Sequence, residues 1–122
     1  AWDYGFLFRY SNDYNQARLV IDSDGTWRLI NLSGNESDYK FTDIPEGTIY
    51  NLDTSTGGSN RLLLVCQSSS GWLYINYEFV AVFDLSFRGT AGDVAIGTGI
   101  NNGHEIAGEA TGYTDFTIWS LP

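Results

Sequence analysis

The side chains that could carry catalysis in this 122-residue chain are 15 carboxylates, one histidine and one cysteine. Retaining glycoside hydrolysis needs two carboxyl groups about 5 Å apart on one surface. The nearest candidates are Glu36 and Asp38 around Ser37, and Glu105 and Glu109 around Gly108. Both pairs fall in polar stretches without strand alternation and read as solvated loop acids. A serine or cysteine nucleophile needs a positioned histidine as its base. His104 sits within Asn101-Asn102-Gly103-His104-Glu105, a turn-rich stretch typical of a surface loop. Cys66 shares strand parity with Leu62 and Leu64 and reads as a small buried apolar residue. The chain is therefore expected not to be an enzyme.

Binding chemistry has more to work with. Asp22-Ser23-Asp24-Gly25 opens like a calcium loop, but Trp27 and Ser33 stand where an EF-hand needs Gly and Glu. Loop oxygens of Asp22, Asp24, Asp93 and Asp115 are the alternative calcium ligands; no other cofactor is expected. Arg9, Arg18 and Arg28 share the outward parity of three candidate neighbouring strands, with Asp3 and Asp22 on the same parity. Such a row is either a cross-strand ion-pair ladder, worth a few tenths of a kcal/mol per exposed pair, or a guanidinium recognition face. Trp72 and Tyr74 also share parity, as core residues of a hairpin or as a platform on which sugar rings stack. Asn31-Leu32-Ser33 and Asn35-Glu36-Ser37 match the N-glycosylation triplet, with Asn35 in the more loop-like stretch.

Composition removes whole classes of partner. Six basic residues against 15 acidic ones give a net charge of −9, so nucleic acid finds no basic footprint. One cysteine excludes an intramolecular disulfide and a multi-cysteine zinc site. No apolar run approaches the roughly 18 residues of a membrane-spanning helix. Hydrophobic residues at 43% and aromatic residues at 16% argue for a packed core, and residues 1–122 read as one domain.

The elements that must position these residues are strands. Apolar runs of five to nine residues alternate with Gly, Ser, Asn and Asp clusters, and no amphipathic helical period persists. Trp2–Tyr10 places an aromatic ring at every even position, predicting a strand with a buried even face. Further strands are expected at Ala17–Asp22, Thr26–Leu32, Thr48–Leu52, Arg61–Gln67, Trp72–Asn76, Phe79–Phe83, Asp93–Thr98 and Phe116–Leu121. Ser33–Gly47 reads as a loop with room for one helical turn. At the first hairpin, a three-residue loop Ser23-Asp24-Gly25 pairs Ile21 with Trp27 and Leu19 with Leu29, gathering the apolar residues on one face.

Gly5-Phe6-Leu7-Phe8-Arg9 followed by Arg18–Leu29 resembles the concanavalin A-like (laminin G-like) jelly-roll modules of bacterial extracellular proteins. The resemblance continues in Asn60–Val65, Gly71–Asn76, Gly92–Gly99 and Tyr113–Trp119. Tyr77 departs from it, standing where such modules place Gly after the hairpin Asn, so a wider or shifted turn is expected there. The resemblance implies two packed antiparallel sheets, an extracellular or cell-surface location, and binding of glycans or protein surfaces. Enzymes of this type carry Glu-x-Asp-x-x-Glu on one strand, and no segment here supplies it.

Three function classes follow: a non-catalytic recognition or adhesion module, a structural subunit of an extracellular assembly, and, more remotely, a glycoside-acting enzyme. The modules it resembles place a strand before the Gly5–Arg9 segment. Its absence would leave Trp2–Tyr10 as an unpaired sheet edge, open to strand exchange with another chain in an oligomer or filament.

Overall fold

The structure, a computed structural model, describes residues 2–89, 92–100 and 111–119, the side chains of 42–45 aside. The strands are β1 (Asp3–Asn12), β2 (Asn15–Asp22), β3 (Thr26–Asn35), β4 (Asp38–Thr48), β5 (Leu62–Gln67), β6 (Ser70–Ile75), β7 (Glu78–Asp84) and β8 (Asp93–Thr98). They form two antiparallel sheets, a five-stranded one in the order β4-β3-β2-β1-β8 and a three-stranded one in the order β5-β6-β7. The chain is all-β, and among the described residues there is no helix.

Alternation explains the core. Leu19, Ile21, Trp27 and Leu29 of the larger sheet share one buried cluster with Leu73, Ile75, Ala81 and Phe83 of the smaller sheet. Trp27 and Phe83 join the two sheets, ring centres 5.6 Å apart. The β2–β3 hairpin has the expected register, Ile21 opposite Trp27 and Leu19 opposite Leu29. Gly25 turns it at φ 85°, where a side chain would be strained, and its N–H donates to the Asp22 carbonyl. Burial of the apolar row selects this register over a slipped one.

Several expectations are corrected. Ser33–Gly47 is not a loop: β3 runs on to Asn35 and β4 returns beside it. The Asn35 side-chain oxygen accepts the N–H groups of Ser37 and Asp38, closing a tight turn whose exposed, polar flanks hide the strand period. Thr48–Leu52 is not a strand either. β4 ends at Thr48, Ile49 is buried with its N–H on the Gly25 carbonyl, and a turn at Tyr50–Asn51 leaves the sheet. Phe116–Trp119 is not in a sheet; the rest of that expected strand lies outside the described residues.

The larger correction concerns β1. It is not an edge, because β2 flanks it on one side and β8 on the other. Its period-two alternation also breaks. Phe8 enters the core and Tyr4 and Phe6 pack against it, but a bulge follows with Arg9 at φ 47°. Gly92 lies against that bulge so closely that a Cβ would stand 2.4 Å from the Arg9 carbonyl carbon. The face of the larger sheet read as outward is covered as well, with Val20, Ile30 and Leu32 all buried.

Candidate functional site

On β6 the two apolar rows separate cleanly. Leu73 and Ile75 point into the core, whereas Trp72 and Tyr74 are half-exposed on the outer face of the three-stranded sheet. Of the two readings of this pair, the core is therefore corrected. Their cross-strand neighbours are apolar, Leu63 and Phe79 beside Tyr74, Val65 and Val82 beside Trp72. A bulge between Leu73 and Tyr74 brings Phe79 opposite Tyr74, and the two rings meet edge to face at 5.8 Å. Phe79 and Val82 remain 57% and 58% exposed, so no other described element covers this face.

The β6–β7 turn completes the site. Ile75 pairs with Glu78 around Asn76 and Tyr77, at φ 52° and 70°. Of the wider or shifted turn expected from Tyr77, the wider one is corrected, since the turn is a tight two-residue one, while the register shifts beside it between Leu73 and Tyr74. Left-handed backbone suits Gly and is tolerated by Asn, but for a bulky residue it is a costly outlier. Asparagine side chains hold it there. Asn76 accepts the Arg61 N–H at 2.8 Å and donates to the Asn51 carbonyl and the Asn60 side chain. Asn51 donates to the Ile75 carbonyl at 2.9 Å, and Asn60 donates to the Tyr4 hydroxyl at 3.0 Å.

This clasp places Arg61 over Tyr77, its guanidinium carbon 4.9 Å from the ring centre. Arg61, Leu63, Tyr74 and Tyr77 line an open groove of about 180 Å³. Enclosed pockets for whole small molecules hold about 300–1,000 Å³, so this groove suits one ring laid against a surface. Trp72 and Tyr74 are expected as ligand-binding residues from the sequence, whereas Arg61 and Phe79 are not, and Tyr77 is expected only as a turn residue. Asn76-Tyr77 between two alternating runs was the available signal, a two-residue hairpin turn with an aromatic where Gly fits best.

The other candidates are scattered. Arg9 is a correction: the bulge turns it inward, 7% exposed, donating to the Leu85 carbonyl at 3.4 Å and to the Ser68 carbonyl. It ties β1 to the segments beside the smaller sheet instead of facing outward. Arg18 and Arg28 keep the expected parity but are half-buried. Arg18 donates to Gln16 and lies 5.5 Å from the Phe41 ring centre, and burial lowers its pKa, with Asp13 opposing. Arg28 stands opposite Val20 and Glu46 in register. Asp22 and Asp3, read as outward, are buried opposite each other.

Asp24 is exposed and caps its turn by accepting from Thr26, Asp93 stands opposite Tyr10, and Asp115 lies beyond β8. Among the described residues no three His, Cys, Asp or Glu side chains converge on a metal position, and these aspartates stand apart. Asn31 lies within β3, half-buried, and accepts from Arg88 at 3.1 Å; Asn35 is exposed with its oxygen held in the turn. Glu36 and Asp38 are exposed on that same turn, while His104, Glu105 and Glu109 lie outside the described residues. Cys66 is half-buried, not fully buried as its parity suggested, and burial pushes its thiol pKa up while Arg9 opposes.

Among the described residues no helix is long and apolar enough to cross a membrane. Comparison of the chain with protein-family models, curated proteins and solved structures finds no match.

Proposed function

We propose that the chain is a non-catalytic recognition module that binds neutral glycans on the outer face of its three-stranded sheet. The observation that carries this reading is Tyr77, a bulky aromatic held in left-handed backbone and 82% exposed beside Arg61. A side chain kept at a conformational cost, with its ring in solvent, supports a role outside folding. Tyr77, Tyr74 and Phe79 offer aromatic faces to the C–H faces of a sugar ring, and Arg61 offers a fork of donors to its hydroxyls. The net charge of −9 favours an uncharged glycan over an acidic one. On this reading the two antiparallel sheets are those of a concanavalin A-like jelly roll, and the module works outside the cell or on its surface.

A glycan array probed with the intact chain tests the proposal. Neutral glycans should bind, and Tyr77→Ala should weaken them about tenfold or more, the scale of one lost stacking contact of 1–3 kcal/mol. Absence of neutral glycan binding, or binding indifferent to Tyr77→Ala, would overturn it. A second reading, a structural subunit of a surface assembly, is favoured by the edge of β5, which no described strand pairs.

A further inference from the structure

The two sheets have four edge strands, and three of them are guarded. β4 carries Asp38, Lys40 and Glu46 along its length. β7 begins at Glu78 and ends at Asp84. β8 receives the Tyr113 hydroxyl on its Gly97 carbonyl at 2.5 Å and the Thr111 hydroxyl on Thr98 at 2.8 Å. Charges, proline and covering segments are the devices that stop an edge from pairing with another chain. Among the described residues β5 has none of them. Leu62-Leu63-Leu64-Val65-Cys66 contains no charge, no proline and no glycine, and all five side chains are half-buried. Among the described residues β5 pairs with β6 on one side and with nothing on the other.

The same chain carries a segment suited to that edge. Phe116-Thr117-Ile118-Trp119 is uncharged and β-prone, yet it lies in no sheet. Phe116, Ile118 and Trp119 are 44%, 64% and 64% exposed. Its alternation puts Phe116 and Ile118 on one side, Thr117 and Trp119 on the other. Laid along β5, the first pair would extend the inward row Leu62, Leu64 and Cys66. Trp119 would continue the outer row of Leu63 and Val65.

We infer that β5 pairs with the Phe116–Trp119 segment of a second copy of this chain. Reciprocal exchange closes a dimer; exchange that does not close builds a filament. Backbone bonds along the edge supply affinity and the alternate side chains fix register. Two copies of net charge −9 repel each other, so added salt should tighten the association.

Cys66 provides the test, because it lies on the inward row and no other cysteine competes. In the full chain, Phe116→Cys and Ile118→Cys are made singly and oxidised mildly. Disulfides form only between residues brought directly together, so at least one variant should give a covalent dimer that Cys66→Ser abolishes. Sedimentation of the unmodified chain across micromolar concentrations should show association strengthened by salt. Val65→Lys should raise its dissociation constant about tenfold or more. Thr117→Pro should do the same, and its site lies outside every ladder, so the sandwich stays folded by circular dichroism. A monomer at all concentrations and salts, or a Cys66 crosslink formed within one chain, would overturn the inference.

Discussion

The Arg61 guanidinium lies over the Tyr77 ring at 4.9 Å, and Asn76, the residue before Tyr77, accepts the backbone N–H of Arg61 at 2.8 Å. One asparagine thus fixes both the turn that strains Tyr77 and the strand entry that aims Arg61. The site is hydrogen-bonded on the sheet side and open on the solvent side, which is the arrangement a stacking surface needs.

Stability and binding should part company at Tyr77. A left-handed residue with a side chain costs roughly 1–2 kcal/mol relative to glycine. Tyr77→Gly should therefore raise stability by about 1 kcal/mol, after loss of the Arg61 contact, while glycan binding falls at least as far as in Tyr77→Ala. Urea denaturation paired with a glycan titration measures both. A destabilised Tyr77→Gly protein would mean that the turn carries no strain worth the name.

The arginines should sort by burial instead of by sequence parity. Arg9→Ala strips a partner from the buried Leu85 carbonyl and another from the carbonyl of the exposed turn residue Ser68, and should cost about 1–3 kcal/mol. Arg18→Ala loses a half-buried contact with Phe41 and a bond to Gln16, and should cost about 1 kcal/mol or less. Neither change should move glycan affinity. Thermal melts of the two variants, with the glycan titration alongside, check the order.

How much of this was legible follows from where alternation survives. The β2–β3 hairpin is readable to the residue pair, because a slip would turn Arg18 and Arg28 toward Leu73 and Phe83 and take Leu19, Ile21, Trp27 and Leu29 out of the core. β4 was not readable, since its exposed turn end, Asp38 to Phe41, carries mixed residues on both faces. Arg9 was misplaced because a bulge resets parity without a composition signal. Tyr74 and Leu73 show the remaining limit. Alternation says that neighbouring residues face opposite ways, and only the packing of two sheets says which way is in.

Cys66 should react slowly. Its thiol pKa is raised chiefly by burial, so little thiolate exists near neutral pH. Labelling of the folded chain by a thiol reagent should run slower than in urea and accelerate as pH rises. Equal rates in both states would contradict the half-buried placement.

Alkaline pH should unfold the protein through its tyrosines, Tyr113 foremost. Burial raises the Tyr113 pKa from 10.0 to about 12, and its hydroxyl donates to the Gly97 carbonyl, a bond that the phenolate cannot make. Burial also raises Tyr4, and the hydrogen bond to Asp13 raises Tyr10. Below pH 10 both folded and unfolded states keep these protons, so stability is at its full value. Between pH 10 and about 12 the unfolded chain releases the Tyr113 proton while the folded chain retains it. The unfolded state then binds fewer protons, and stability must fall as pH rises. Urea midpoints should therefore be flat from neutral pH to pH 9 and decline steeply beyond 10. Tyr113→Phe, which has no proton to lose, should flatten part of that decline while lowering the midpoint at neutral pH by the lost bond to Gly97. An unchanged alkaline slope in Tyr113→Phe would show that the ring does not sit in the buried position beside Tyr4, where their centres are 6.3 Å apart.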